Sequence, residues 1–202
     1  MQVNEFIACQ EFPCKDVRHE CYIIPQVDVN PDEISILMIS EAAPPERKDY
    51  YYMGSESLFE ITTLQAFQEA GALVSVFNDL LDHGVYLTSA VKCGKTGYGI
   101  KAGIIKECSL ILEQEIALFP NVKVLLLMGD VAIKAINYIA KRAGEERVIP
   151  TGSTYKIRGQ EYYFRGMRAF PSYLQAGPSF GIEKSKVRMI ADDIAAGLAL
   201  VS

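Results

Sequence analysis

The chain has 202 residues, half of them apolar, with 25 acidic against 20 basic side chains and a net charge of −5. That length fits one domain with a sizeable core. The acidic balance argues against a broadly basic nucleic-acid binder, because phosphate contacts supply most non-specific affinity.

A local basic face stays open. Lys92, Lys95, Lys101, Lys156, Arg158, Arg165, Arg168, Lys184, Lys186 and Arg188 fall in stretches around two of the loops described below, although composition favours ordinary solvated charges there. The apolar run at 122–128 is broken by Lys123 and is too short to span a bilayer. The N-terminus has neither a basic n-region nor a long apolar h-region, so no signal peptide is expected and the cytoplasm is the default compartment.

Residues 1–32 read as an irregular segment, interrupted by Pro13, Pro25 and Pro31 and carrying Cys9, Cys14 and Cys21. Residues 34–39 form a short, nearly continuous apolar run, as expected of a strand buried on both faces. A Pro- and charge-rich loop follows and ends in Tyr50, Tyr51, Tyr52 and Gly54. Three successive tyrosines cannot all face one way, so one is expected to enter a pocket and another to pack. Ser55 or Ser57 can cap a helix running to Ala70, with Gly71 as its stop.

Gly84 precedes a second strand at 85–91. After a glycine-rich loop, Ile104, Ile105, Cys108, Ile111, Leu112 and Glu115 recur at helical spacing, and Pro120 ends that helix. Residues 122–128 give a third strand. Gly129 and Asp130 open a helix at 131–142, where turn geometry and capping explain the pair better than phosphate binding does. No G-x-G-x-x-G or Walker-type loop occurs, which weakens a dinucleotide or NTPase reading. Residues 151–170 read as β structure, with a turn at Gly159-Gln160 between strands at 155–157 and 162–164, then a fourth core strand near 167–170. The last helix, 184–200, puts Val187, Ile190, Ile194 and Leu198 on one face. This alternation predicts a three-layer α/β/α sandwich with a mainly parallel, four-stranded central sheet, in a single domain over 1–202.

Three fragments fall just past apolar runs: Ser40-Glu41-Ala42-Ala43-Pro44, Tyr86-Leu87-Thr88-Ser89-Ala90-Val91-Lys92-Cys93, and Phe170-Pro171-Ser172-Tyr173-Leu174. In an open α/β sheet such strand ends converge on one crevice, where ligands bind. With Tyr52-Met53-Gly54, Cys108 and Leu127-Met128-Gly129 in their order, the chain resembles the uracil-DNA glycosylase superfamily, especially its iron–sulfur branch, over roughly residues 9–200.

The resemblance implies excision of a flipped base from DNA, single- or double-stranded and damaged, by hydrolysis of its N-glycosidic bond. Glu41 matches the carboxylate that positions water or stabilises the sugar cation. Tyr52 matches the aromatic that stacks under the base, and Tyr173 falls in the same substrate-binding set. Two positions depart from the family pattern. Ser89 stands where an asparagine reads the pyrimidine edge, and one hydroxyl cannot do so bidentately. Phe170 stands where a histidine donates to the departing base, and losing such a donor typically costs about 10²–10³ in rate. Ser172 can compensate in part. Ser89 as a core-facing strand end and Phe170 as a packing wall remain open beside these roles.

Five cysteines in a cytosolic chain point to metal or cluster ligands rather than disulfides. The resemblance implies a structural [4Fe–4S] cluster at Cys14, Cys21, Cys93 and Cys108, with Cys9 in reserve; structural zinc suits four thiolates as well, and buried small apolar residues are the remaining reading. Three functions follow as expectations: a base-excision glycosylase of altered specificity, a non-catalytic nucleic-acid-binding relative, and a small-molecule enzyme reusing the same crevice. A monomer without membrane contact is expected.

Overall fold

The computed structural model describes residues 1–54, 56–97 and 99–201. Its centre is a sheet in the order β1-β3-β2-β4-β6-β5. The strands are β1 (Val17–Arg18), β2 (Ile36–Ala43), β3 (Val85–Lys95), β4 (Val124–Met128), β5 (Tyr162–Phe164) and β6 (Met167–Ser172). The inner four, β3-β2-β4-β6, are parallel, while β1 and β5 pair antiparallel at the two edges. The expected parallel core is thus present, and the four-stranded count grows to six by these short edges. β5 is the strand expected at 162–164, here joined to the sheet, whereas β1, two residues long, is too short to show a periodic pattern. β5 joins β6 through Arg165 and Gly166, both at positive φ (49° and 84°), the two-residue hairpin geometry that matches strand twist.

Helices α1 (Leu58–Glu69), α2 (Asp79–Asp82), α3 (Ala102–Ala117), α4 (Asp130–Arg142), α5 (Thr154–Ile157) and α6 (Lys184–Ala199) complete the layers. Alternation along the strands splits the core in two. Ile39, Leu125 and Leu127 pack beneath α3 and α4 on one face; Met38, Leu126 and Met128 pack beneath α1 and α6 on the other. Ser57 precedes α1 as its cap residue but gives its hydroxyl to the Tyr50 carbonyl instead of the helix; Ser55, the other candidate, lies outside the described residues.

Residues 155–157, expected as a strand, fall in α5. Only Ile157 reaches the core there, while Tyr155 stands 72% exposed, so the segment has one buried contact per turn and not an alternating face. The expectation of solvated charges also fails at Lys92. Its ammonium has no accessible surface and donates to Thr88 Oγ1 and the Ser89 carbonyl, both at 2.7 Å, and to the Glu115 carboxylate. The N-terminal segment is tied down at both ends: the Met1 amine donates to the Val29 carbonyl at 2.6 Å, and β1 extends the sheet beside the far end of β3.

Candidate active site at the β2–β4 switch point

The chain leaves β2 into α1 on one face of the sheet and leaves β4 into α4 on the other. Adjacent parallel strands whose connections diverge in this way open a crevice at their carboxyl ends. Glu41 occupies it. It is the one half-buried residue in an otherwise buried β2. Its Oε1 accepts from the Val131 N–H at 3.4 Å, in the first turn of α4. Burial pushes its carboxyl above the usual range, and the Val131 and Asp130 amides and Lys95 pull only partly the other way. A carboxylate so placed is a stronger base than one in water, held by an oriented helix end.

Glu41 opens on a cavity of 330 Å³ between the β4 and β6 ends, α5 and α6. Ser172, Tyr173 and Leu174 from the third fragment line it, with Phe180, Lys186 and Ile190 opposite. That volume suits a small-molecule or single-base ligand.

The expected single cleft is divided, however. Glu41, Ser172 and Tyr173 share the cavity, and Tyr52, Ser89 and Phe170 are not among its described walls. Tyr52, at φ 62°, accepts from the Leu87 N–H at 3.0 Å with its hydroxyl oxygen, so its ring packs along the β3 backbone. Ser89 is fully buried, donating to the Val91 carbonyl at 3.1 Å and meeting the Tyr50 hydroxyl at 3.2 Å. Phe170 joins the α1/α6 core with the Arg168 guanidinium 4.5 Å from its ring centre. Ser172 gives its proton to Asp193 Oδ2 at 2.5 Å, which leaves its oxygen only as an acceptor. Asp193 in turn takes two bonds from Arg158, at 2.7 and 3.1 Å. Burial raises the Asp193 carboxyl against these two partners.

Asp193 was missed in the sequence although a signal existed: it sits on the same helical stripe as Ile190, Ile194 and Gly197, all buried. An acid on an apolar stripe needs a buried partner.

A second cluster lies beside the N-terminal segment. Cys9, Cys14 and Cys108 line one groove. Burial and the neighbouring Cys108 and Cys9 sulfurs push the Cys14 thiol up to about 11. Burial, then Cys108, Cys9 and Cys14, push Cys93 up to about 12. Cys21 acts on Cys93 more weakly than these three, and its thiol donates to the Pro45 carbonyl at 3.1 Å. His19 stands 3.5 Å from the Cys93 sulfur. Among the described residues no group of three or more His, Cys, Asp or Glu could hold a metal ion.

The sequence model of the uracil DNA glycosylase superfamily matches residues 27–188. The chain belongs to that superfamily. The match runs from before β2 into α6 and so includes Glu41, the cavity walls other than Ile190, and all three strand-end fragments. No curated protein matches the chain. No described helix is long and apolar enough to cross a membrane.

Proposed function

We propose that this protein is a DNA base-excision glycosylase of altered specificity, with Glu41 as its working carboxylate and Ser172 and Tyr173 as walls of the site. The observation that supports this best is Glu41 itself, half-buried at the β2–β4 switch point, held by the start of α4, and open to a base-sized cavity. In the reaction the C1′–N bond breaks, the base leaves with the electron pair, and water supplies the hydroxyl at C1′. Glu41 stabilises the sugar cation and takes the proton from the attacking water.

Neither Phe170 nor Ser172 supplies a donor to the leaving base. Phe170 has none, and the Ser172 proton is engaged by Asp193. The substrates that suit such a site are damaged bases that already leave well, in single- or double-stranded DNA. The test is incubation with oligonucleotides bearing uracil, hypoxanthine, xanthine or oxidised bases, followed by alkaline cleavage at abasic sites. Cleavage that is lost in Glu41→Gln supports the reading; cleavage undiminished in that variant rejects Glu41.

A second reading is a non-catalytic DNA binder, favoured by the engagement of Ser89 with the Tyr50 hydroxyl. It requires binding with a steep salt dependence and no abasic product from any base tested.

The thiols at Cys9, Cys14, Cys93 and Cys108 suit a [4Fe–4S] cluster better than a set containing Cys21, given the engagement of Cys21 with Pro45. A cubane spreads its thiolates over separate corners rather than drawing them to one point. Such a group would serve structurally, tying the N-terminal segment to β3 and α3. Structural zinc would need the thiolates to converge on one point, which no described group of three or more does, and metal analysis separates the two.

A further inference from the structure

Among the described walls of the cavity at Glu41, Lys186 is the one cation. It comes from the first turn of α6, whereas Glu41 comes from the strand ends. Its ammonium stands 5.5 Å from the centre of the Tyr173 ring, another wall of the cavity, and 2.6 Å from Glu183 Oε1. The side chains of that pair are 43% and 55% exposed, and an exposed pair contributes little, so a ligand can displace Glu183 at small cost. Other basic groups nearby are committed: Lys134 pairs with Asp130, and Arg158 donates to Asp193 and to the Met189 carbonyl. Thr154 and Ser179 bring only neutral hydroxyls to the walls. The walls also carry Glu41, Asp130 and Glu183, so an anion is held there by direct contact with the Lys186 ammonium and not by a general positive field.

We propose that Lys186 binds the negative charge of the departing base, and that the site therefore favours deaminated and oxidised bases that leave as stable anions. The proposal rests on the reading of Glu41 as the working carboxylate, but binding of an anionic base can be tested without catalysis. A single base fills a cavity of 330 Å³ from wall to wall, so a base seated there borders the α6 wall as well as the strand ends. As the C1′–N bond breaks, its electron pair stays on the base while the sugar turns positive. Glu41 opposes the charge on the sugar, and the Lys186 ammonium donates to the charge on the base. Water attacked at C1′ gives its proton to Glu41, and the released base takes a proton from solvent. Lys186 thus supplies from a helix the donor that Phe170 and Ser172 do not supply from the end of β6.

The experiment is calorimetry at mildly alkaline pH with free xanthine, largely an anion there, with hypoxanthine, largely neutral, and with inorganic phosphate. Wild type is expected to prefer xanthine to hypoxanthine. Lys186→Met should lose on the order of tenfold in xanthine affinity and little in hypoxanthine affinity, while Lys186→Arg should keep the preference. Lys186 is half exposed, so both variants should fold, and thermal melts check this. Equal xanthine affinity in wild type and Lys186→Met overturns the proposal, as does a wild type that binds none of the probes. Phosphate bound through Lys186 without competition from xanthine also overturns it, since the cation would then serve the DNA backbone. In abasic-site assays Lys186→Met should lose more rate on uracil than on xanthine, the better leaving group. Excision lost in Glu41→Gln but unchanged in Lys186→Met rejects Lys186 alone. Xanthine held through Lys186 with no abasic product from any base rejects the glycosylase reading and leaves the anion site standing.

Discussion

A β-carbon on Gly129 would stand 2.5 Å from Oε1 of Glu41 and 2.7 Å from its Cγ. Gly129 also sits at φ 105°, a backbone region closed to other residues at low cost. The glycine between β4 and α4 therefore does two things: it turns the chain, and it leaves the volume that the Glu41 carboxyl fills. Gly129→Ala is expected to lower stability by about 1–3 kcal/mol. Any base excision should fall with it, because the carboxyl must leave the Val131 amide. Denaturant melts together with abasic-site assays check both. An active variant of unchanged stability would show that Glu41 tolerates displacement.

Glu41 makes a pH-dependent contribution of known sign. Its folded-state carboxyl titrates above its unfolded value, mainly through burial. Between the two values the folded state holds more protons, so stability falls as pH rises through that window and stays lower above it. Glu41→Gln removes this burden. At pH 7–8 the variant should melt on the order of 1–3 °C higher than wild type, with the gap closing below about pH 4. Thermal melts across pH test this. A variant that melts lower at neutral pH would mean that the α4 amides stabilise the charge more than burial opposes it.

The core of the fold was legible because buried parallel strands write themselves as apolar runs: 34–39, 85–91 and 122–128 each contain or lie within an observed strand or its flank. Glu41 was legible as an acid placed straight after such a run. The division of the site was not. Whether Tyr50, Tyr51 or Tyr52 enters the strand-end space depends on the tertiary path of the loop, and three identical neighbours carry no pattern to choose among them. Lys92 misled for a related reason. A lysine reads as solvated until its partner is known, and Glu115 lies 23 residues away on another element.

Lys92 and Glu115 form an ion pair with essentially no solvent access, completed by Thr88 and by the Tyr86 hydroxyl, which donates to Glu115 Oε1 at 2.9 Å. Removing one partner strands a buried charge. Lys92→Met and Glu115→Leu should each cost about 3–5 kcal/mol, whereas the double variant should recover most of that loss. A double-mutant cycle by urea denaturation measures the coupling. Additive losses would show that the two charges are stabilised independently.

Asp193 links Ser172, at the end of β6, to Arg158, which also donates to the Met189 carbonyl at 2.7 Å. Ser172→Ala removes one hydroxyl and should cost about 1 kcal/mol. Asp193→Ala leaves the hydroxyl without its acceptor and a mostly buried guanidinium without its carboxylate, keeping only the Met189 carbonyl, so about 3 kcal/mol or more is expected. The ordering, not the absolute values, is the check. Equal losses in the two variants would mean that Arg158 finds water or another acceptor once Asp193 is gone.

The cysteines give a prediction that separates two ligand sets. Cys9, Cys14, Cys93 and Cys108 act on one another, while Cys21 acts on Cys93 more weakly and its thiol donates to the Pro45 carbonyl. If a cluster is bound, anaerobically purified protein should be brown and carry iron and sulfide in near-equal amounts. Cys9→Ser should then lose most of its iron and melt lower, since binding energy at such a site is folding energy. Cys21→Ser should keep both its iron and its colour, giving up only a weak S–H contact. Iron and zinc analysis of the two variants beside wild type decides the matter. Iron lost from Cys21→Ser but retained in Cys9→Ser would restore Cys21 to the ligand set, and stoichiometric zinc in colourless protein would keep the thiolates and reject the cluster.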